Sequence, residues 1–195
     1  MGKNYTLVVV DMQPFFTSDL DTLNHVAREI ERARERGCDI AILEIPYFSP
    51  MDEEGLAPTH KQLRELVKDY ARVKTIYKPM FTQSLTHAAR CLLTVLLQFG
   101  FETRRFRVCG VNTGGWLRTA SGDIQVDEKS QEAKHTGCVF DLVLGLSRMA
   151  PEAKIKVIAD ACKDERGFQV NWNDFSELPR VKVLSARDTT KRMAA

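Results

Sequence analysis

No hydrophobic run in this chain reaches membrane-spanning length. Its most apolar stretches, residues 5–10 and 91–97, fall far short of the roughly 20 residues a spanning helix needs. An excess of charge is also missing. Lys and Arg total 28 against 26 Asp and Glu, and a net charge of +2 gives no electrostatic argument for nucleic acid. The C-terminal Lys191-Arg192 is too short to act as a basic tail. Histidine is scarce: His25, His60, His87 and His135 are scattered without ligand spacing, so no metal and no other cofactor is expected. The five cysteines, an odd number in mostly apolar surroundings, favour a reducing compartment over a disulfide framework. No leader segment precedes the first strand pattern, so a cytoplasmic location is expected, with no membrane association. Neither an internal repeat nor a linker divides the chain, and residues 1–195 are read as one domain.

What is present is an alternation of two periods. Residues 5–10 form a continuous β-branched run of the kind buried on both faces of a parallel sheet. Residues 21–36 carry Leu23, Val26, Ala27, Ile30 and Ala33 on one helical face, with Gly37 as C-terminal cap. Further strands are expected at 40–45, 73–77, 105–109, 155–159 and 181–184, and helices at 85–99 and 138–149. Thr59-His60-Lys61-Gln62 reads as a capping box for a helix reaching Tyr70. Strands alternating with helices imply a mostly parallel six-stranded sheet covered by helices on both faces.

Such sheets bind ligands beyond the carboxyl ends of their strands. The candidates there are Asp11, Ile45 to Tyr47, Lys78, Gly110 to Gly114 and Asp160. Asp11 is either a turn cap or a general base held by a rigid strand. Lys78, stiffened by Pro79, is either a lysine snorkelling from the sheet edge or a cation held beside Asp11. Cys138, with Gly137 before it, opens a helix whose N-terminus favours a thiolate, with a pKa lowered to roughly 3.5–7.5. The alternative for Cys138 is a small buried hydrophobe, as expected of Cys38, Cys91, Cys109 and Cys162.

Five segments in order resemble the isochorismatase-like cysteine hydrolases, a superfamily that includes nicotinamidases and N-carbamoylsarcosine amidohydrolases. They are Leu7-Val8-Val9-Val10-Asp11-Met12-Gln13 with Phe15-Phe16, Tyr77-Lys78-Pro79-Met80-Phe81, Cys109-Gly110-Val111-Asn112-Thr113-Gly114, Gly137-Cys138-Val139 and Ile158-Ala159-Asp160-Ala161-Cys162. The resemblance implies a doubly wound (Rossmann-like) α/β fold and an Asp–Lys–Cys triad, here Asp11, Lys78 and Cys138. It implies a cis peptide at Val111–Asn112 and an oxyanion hole from the Asn112 and Cys138 amides. It further implies a small-molecule substrate and a homo-oligomer, dimer or tetramer. Phe15, Phe16, Tyr47, Phe81 and Trp116 are the expected pocket aromatics, each of which has core packing as its alternative.

The chain departs from the family pattern in two places. The turn Thr113-Gly114 reaches Gly137-Cys138 only if an insertion at about 115–136 is cut out, and this polar segment reads as a surface loop or short hairpin. Without the cut, Trp116 falls where the nucleophile belongs. The cut is favoured because residues 139–144 continue as helix, whereas Trp116-Leu117-Arg118-Thr119-Ala120 soon meets Ser121-Gly122-Asp123. The segment could serve as a lid, an oligomer contact or an ornament. Secondly, family members acting on nicotinamide carry an Asp/His metal cluster after the second strand. Glu44-Ile45-Pro46-Tyr47-Phe48 has no histidine, which disfavours nicotinamide. Members that hydrolyse isochorismate usually lack the cysteine, so Cys138 favours an amide, carbamoyl or ureide-like C–N bond. Two rivals stand beside this reading. One is a haloacid-dehalogenase-type phosphohydrolase using Asp11, Lys78, Asp160 and Asp164, weakened by Gln13 where a second acid belongs. The other is a binding or assembly protein whose site the insertion has altered.

Overall fold

A computed structural model describes residues 4–46, 58–78 and 87–185. The continuous apolar run becomes β1 (Thr6–Val10), every residue of which is buried. It pairs in parallel with β2 (Asp39–Glu44) on one side and β4 (Arg105–Val111) on the other, so that Val8 faces Ala41 and Val108 across the two ladders. With β3 (Val73–Tyr77), β7 (Lys154–Lys163) and β8 (Val181–Leu184) added, the sheet order is β3-β2-β1-β4-β7-β8 and every pair is parallel. The six-stranded sheet expected from the sequence is therefore present. The order in which strands are added reverses between β1 and β4, and doubly wound sheets hold ligands at the carboxyl ends beside such a point.

Strand alternation sends successive side chains to two cores. Val8, Val10, Leu43 and Val108 pack with α3 (His87–Gln98) and α4 (Cys138–Met149), through Leu92, Leu96, Phe140 and Val143. Leu7, Val9, Ile40 and Ile42 pack with α1 (Leu20–Glu35) and α2 (Lys61–Val67), through Leu23, Val26, Ile30 and Leu63. Each such side chain fully withdrawn from water contributes about 1.5–3 kcal/mol. No described helix is long and apolar enough to cross a membrane.

α1 begins where Asp19 accepts a 2.8 Å bond from the Thr22 amide, and Gly37 ends it at φ 64°. The expected capping box does not form. His60 holds the cap position of α2 without a side-chain cap bond. Thr59 instead donates its amide to Glu44 Oε1 at 2.8 Å, and His60 Nε2 lies 2.7 Å from Thr17 O. Tertiary partners have displaced the local ones. α2 also stops at Val67, and the Tyr70 hydroxyl bonds Cys38 O. β7 does not stop before Asp160 but continues to Lys163, because a bulge lets Cys162 and Lys163 pair with Gly110 and Val111. Asp160 thus lies within a strand. A short helix, α5 (Trp172–Ser176), stands where the sequence suggested none; Asn171 caps it by accepting from the Asn173 amide at 3.2 Å.

Residues 115–136 form an antiparallel excursion. β5 (Gly115–Trp116) pairs with β6 (His135–Thr136), and Leu117, Gln125 and Lys134 extend the ladder with bonds of 2.8–2.9 Å. The short-hairpin expectation holds, and the two halves of the split turn meet. A Cβ on Gly137 would lie 2.4 Å from Gly114 Cα, so both positions admit only glycine.

Candidate active site

Three side chains converge at the carboxyl edge of the sheet. β1 delivers Asp11, whose amide bonds Leu43 O at 2.9 Å. β3 delivers Lys78, whose amide bonds Glu44 O at 2.9 Å. The resealed turn delivers Cys138 as the first residue of α4. Lys78 Nζ lies 3.0 Å from Asp11 Oδ2. Both groups are near enough to the Cys138 thiol to act on its ionisation. Asp11 and Lys78 are buried, whereas Cys138 keeps partial exposure.

The backbone around this cluster is unusual. Asp11 and Asn112, neither a glycine, sit at φ 53° and 55° at the ends of neighbouring strands. Such left-handed conformations cost of order 1–3 kcal/mol and gather at functional sites. Between them, a Cβ on Gly110 would stand 2.1 Å from Val10 O, so glycine alone allows this approach. The Val111–Asn112 peptide is trans, not the cis bond expected; Gly110 at φ 137° and Asn112 at φ 55° make the reversal. The turn then caps α4. Phe140 donates to Thr113 O at 2.9 Å and Val139 to Asn112 O at 3.3 Å. The Cys138 amide is the first of the helix and points from the same N-terminus.

The electrostatics correct a second expectation. Cys138 is not a depressed thiol. Burial and then the Asp11 charge push it up to about 12, against the weaker opposing pull of Lys78. The resting sulfur therefore carries its proton at neutral pH. Burial alone would lower Lys78, but the charge of Asp11 beside it outweighs that and holds the ammonium above its ordinary value.

The aromatic candidates separate. Phe15 is 73% exposed and stacks edge-on to Phe16 at 5.1 Å, on the loop that follows Asp11. Trp116 packs edge-on to Phe140 at 4.9 Å, and Phe140 packs on Phe175 at 4.9 Å, so Trp116 joins the core cluster. His135 Nε2 meets Asp141 Oδ1 at 3.0 Å. Tyr47 and Phe81 lie outside the described residues. Among the described residues no three His, Cys, Asp or Glu side chains form a metal-binding group.

The supporting roles of three residues escaped sequence reasoning, although Gln13 and Asp164 were singled out there on other grounds. Gln13 spans β1 and β2 ends, giving Nε2 to Ile45 O at 3.1 Å and taking the Ile45 amide on Oε1 at 2.9 Å. Asp164 accepts the Gly114 amide at 3.0 Å and pairs with Arg166, which reaches Thr136 Oγ1 at 3.0 Å. Asp174, buried on α5, accepts the Trp116 amide at 3.0 Å and pairs with Arg118. Both carboxylates therefore grip the neck of the 115–136 excursion. Only the Asn171-to-Asp174 capping pattern offered a sequence signal for one of them.

By sequence, no family model and no curated protein matches the chain. By structure, the pyrazinamidase/nicotinamidase of Streptococcus mutans superposes with a TM-score of 0.61 at 13% identity, covering 93% of this chain and 100% of that one. An isochorismatase family protein from Desulfovibrio vulgaris superposes with a TM-score of 0.60 at 13% identity, covering all of both chains. The chain has the isochorismatase-like fold. The pyrazinamidase of Pyrococcus horikoshii, solved in complex with zinc, shares this fold with a TM-score of 0.53 at 15% identity, over 94% of this chain and 99% of that one. On the isochorismatase-like fold, the Asp11–Lys78–Cys138 cluster lies at the switch-point crevice of the sheet, where doubly wound folds hold their ligands.

Proposed function

We propose that this chain is a cysteine hydrolase that cleaves a C–N bond of a small molecule, in an amide, carbamoyl or ureide-like group. The observation that carries the reading is the convergence of a carboxylate, an ammonium and a half-buried thiol from three separate elements. A thiol with a pKa near 12 needs a base at the moment of attack. Asp11 takes the proton as the sulfur bonds to the carbonyl carbon. Lys78 holds the carboxylate in place and balances the charge. The carbonyl oxygen becomes an oxyanion between the Asn112 and Cys138 amides, where a single donor is worth about 2.7–4 kcal/mol. Collapse breaks the C–N bond, and the amine leaves with the proton held by Asp11. Water, deprotonated by Asp11, then hydrolyses the thioester and restores the thiol.

The strained φ values at Asp11 and Asn112 support this reading, because a structural turn has no need of two left-handed non-glycine residues side by side. The names of the structural neighbours, nicotinamidases and pyrazinamidases among them, agree with C–N hydrolysis as the reaction class. The test is a screen of primary amides, carbamoyl compounds and ureides with ammonia detection, run beside Cys138→Ala. Turnover of one class by the wild type and none by the variant supports the reading. Ammonia release that survives Cys138→Ala overturns it.

A further inference from the structure

The end of β7 holds both halves of the site. Val157 pairs with Val108 and Cys162 pairs with Gly110, so Ile158 to Ala161 bulge opposite Cys109 alone. Bulges gather beside active sites, where they re-aim the chain that follows. Here the strand re-enters the ladder, and Lys163 pairs with Val111, one residue before Asn112. Residues 163–166 therefore leave the sheet beside the turn that delivers Cys138.

Two sets of contacts run from this segment. On the Cys138 side, Asp164 takes the Gly114 amide at 3.0 Å, and its side chain is 1% exposed. Arg166 forks onto Asp164, through Nη2 at 2.7 Å and Nε at 3.3 Å, and gives Nη1 to Thr136 Oγ1 at 3.0 Å. The pair thus ties both strands of the neck, two residues before Cys138. α4 has no side-chain cap of its own, because Gly137 holds the cap position. On the Asp11 side, Glu165 accepts the Thr17 hydroxyl at 2.5 Å, and Lys163 pairs with Asp19 at 3.0 Å. Thr17 is buried and closes the turn after Asp11, giving its amide to Gln13 O at 3.2 Å. Gln13 fixes the near end of that loop to β2, and Glu165 and Lys163 fix the far end. Adjacent in sequence, Asp164 and Glu165 therefore hold two segments that are far apart in the chain.

Resting on the reading of Asp11 as base and Cys138 as nucleophile, we propose that Asp164, Glu165 and Arg166 are positioning residues that register the two against each other. Asp164 and Arg166 fix the turn that carries Cys138, and Glu165 fixes the loop that follows Asp11. Proton transfer from sulfur to carboxylate needs the two within hydrogen-bond reach, and a misplacement of about 1 Å at either end is costly. The bulge in β7 has a use on this account: it brings one segment to both.

The test uses Glu165→Ala and Thr136→Val, each of which removes one contact of the segment. Glu165→Gln keeps an acceptor for Thr17, and Thr136→Ser keeps a hydroxyl for Arg166, so these serve as the conservative variants. The readout is the pH profile of iodoacetamide labelling at Cys138, which needs no substrate and so stands apart from the outcome of the C–N screen. Burial and the Asp11 charge hold the thiol protonated, so a nucleophile and base that drift apart should label faster. At pH 8 the gain in Glu165→Ala and Thr136→Val should reach about fivefold, the worth of one ordinary hydrogen bond. The conservative variants should label as the wild type does. In the double variant the gain should fall short of the product of the two single gains, because a register already lost cannot be lost again. With a substrate from the screen, both single variants should lower kcat and leave KM unchanged. A lowered Tm with no faster labelling would mark the contacts as merely structural and overturn the proposal. A double variant equal to the product, which marks two independent struts, or a raised KM with kcat unchanged would overturn it as well.

Discussion

Lys78 Nζ stands 3.0 Å from Asp11 Oδ2, with the two side chains 7% and 0% exposed. A pair so deeply buried is stable only while both members are present. Lys78→Met strands a carboxylate in the protein interior and should cost about 3–5 kcal/mol in urea unfolding. Asp11→Asn combined with Lys78→Met should recover most of that loss. A cost below about 1 kcal/mol for Lys78→Met would mean that the pair is solvated, not buried.

The thiol of Cys138 should react slowly at neutral pH and faster as pH rises, because its pKa of about 12 leaves little thiolate at pH 7. Since the Asp11 charge raises that pKa, Asp11→Asn should accelerate iodoacetamide labelling at pH 8 while abolishing hydrolysis. Each unit of pKa lost gives about tenfold more thiolate. Lys78→Met should slow labelling, since Lys78 pulls the other way. Peptide-resolved mass spectrometry separates Cys138 from the other four cysteines. Labelling that is fast and flat from pH 6 to 9 would contradict the assignment.

The 115–136 excursion should be separable from the sheet. Gly115 and Trp116 pair with Thr136 and His135, so replacing residues 117–134 with Asn-Gly should close a two-residue hairpin of the type these residues favour. The shortened chain should keep the pH profile of Cys138 labelling. A profile shifted toward that of a free cysteine would show that the excursion helps to hold the site.

Acid should loosen the neck of the 115–136 excursion. Burial works to raise Asp164, but its hydrogen bond and charge contact with Arg166 and the Gly114 amide prevail and lower it from 3.8. A carboxyl depressed in the folded state adds stability that is fully present above pH 3.8 and is lost as pH falls through the folded value. Asp164→Asn should therefore lower Tm at pH 6, and the difference from wild type should shrink as pH falls toward 3. A constant difference would place the effect elsewhere.

Much of this architecture was legible because it depends on local pattern. Residues 6–10 read as an interior strand, and Gly37 ends a helix where the periodicity stops. Asp11, Lys78 and Cys138 were readable as strand-end and helix-start positions. Their electrostatics were not, because the pKa of Cys138 is set by burial and by Asp11, which lies far away in sequence. The trans peptide at Val111–Asn112 was missed because the resemblance supplied a cis bond where Gly110 and Asn112 take positive φ. Thr59 looked like a cap, yet Glu44 claims its amide. Asp164 and Asp174 grip the 115–136 excursion through contacts 50 and 58 residues apart, beyond the reach of any spacing rule.

The central claim is that Cys138 forms a covalent acyl intermediate. The most direct measurement is intact-mass spectrometry of the wild type, quenched in acid milliseconds after mixing with a substrate found in the ammonia screen. The account predicts an adduct with the mass of the acyl group, mapped to Cys138, formed together with released ammonia and absent from Cys138→Ala and Asp11→Asn. Ammonia released with no adduct at any time, or an adduct mapped to another residue, would contradict it.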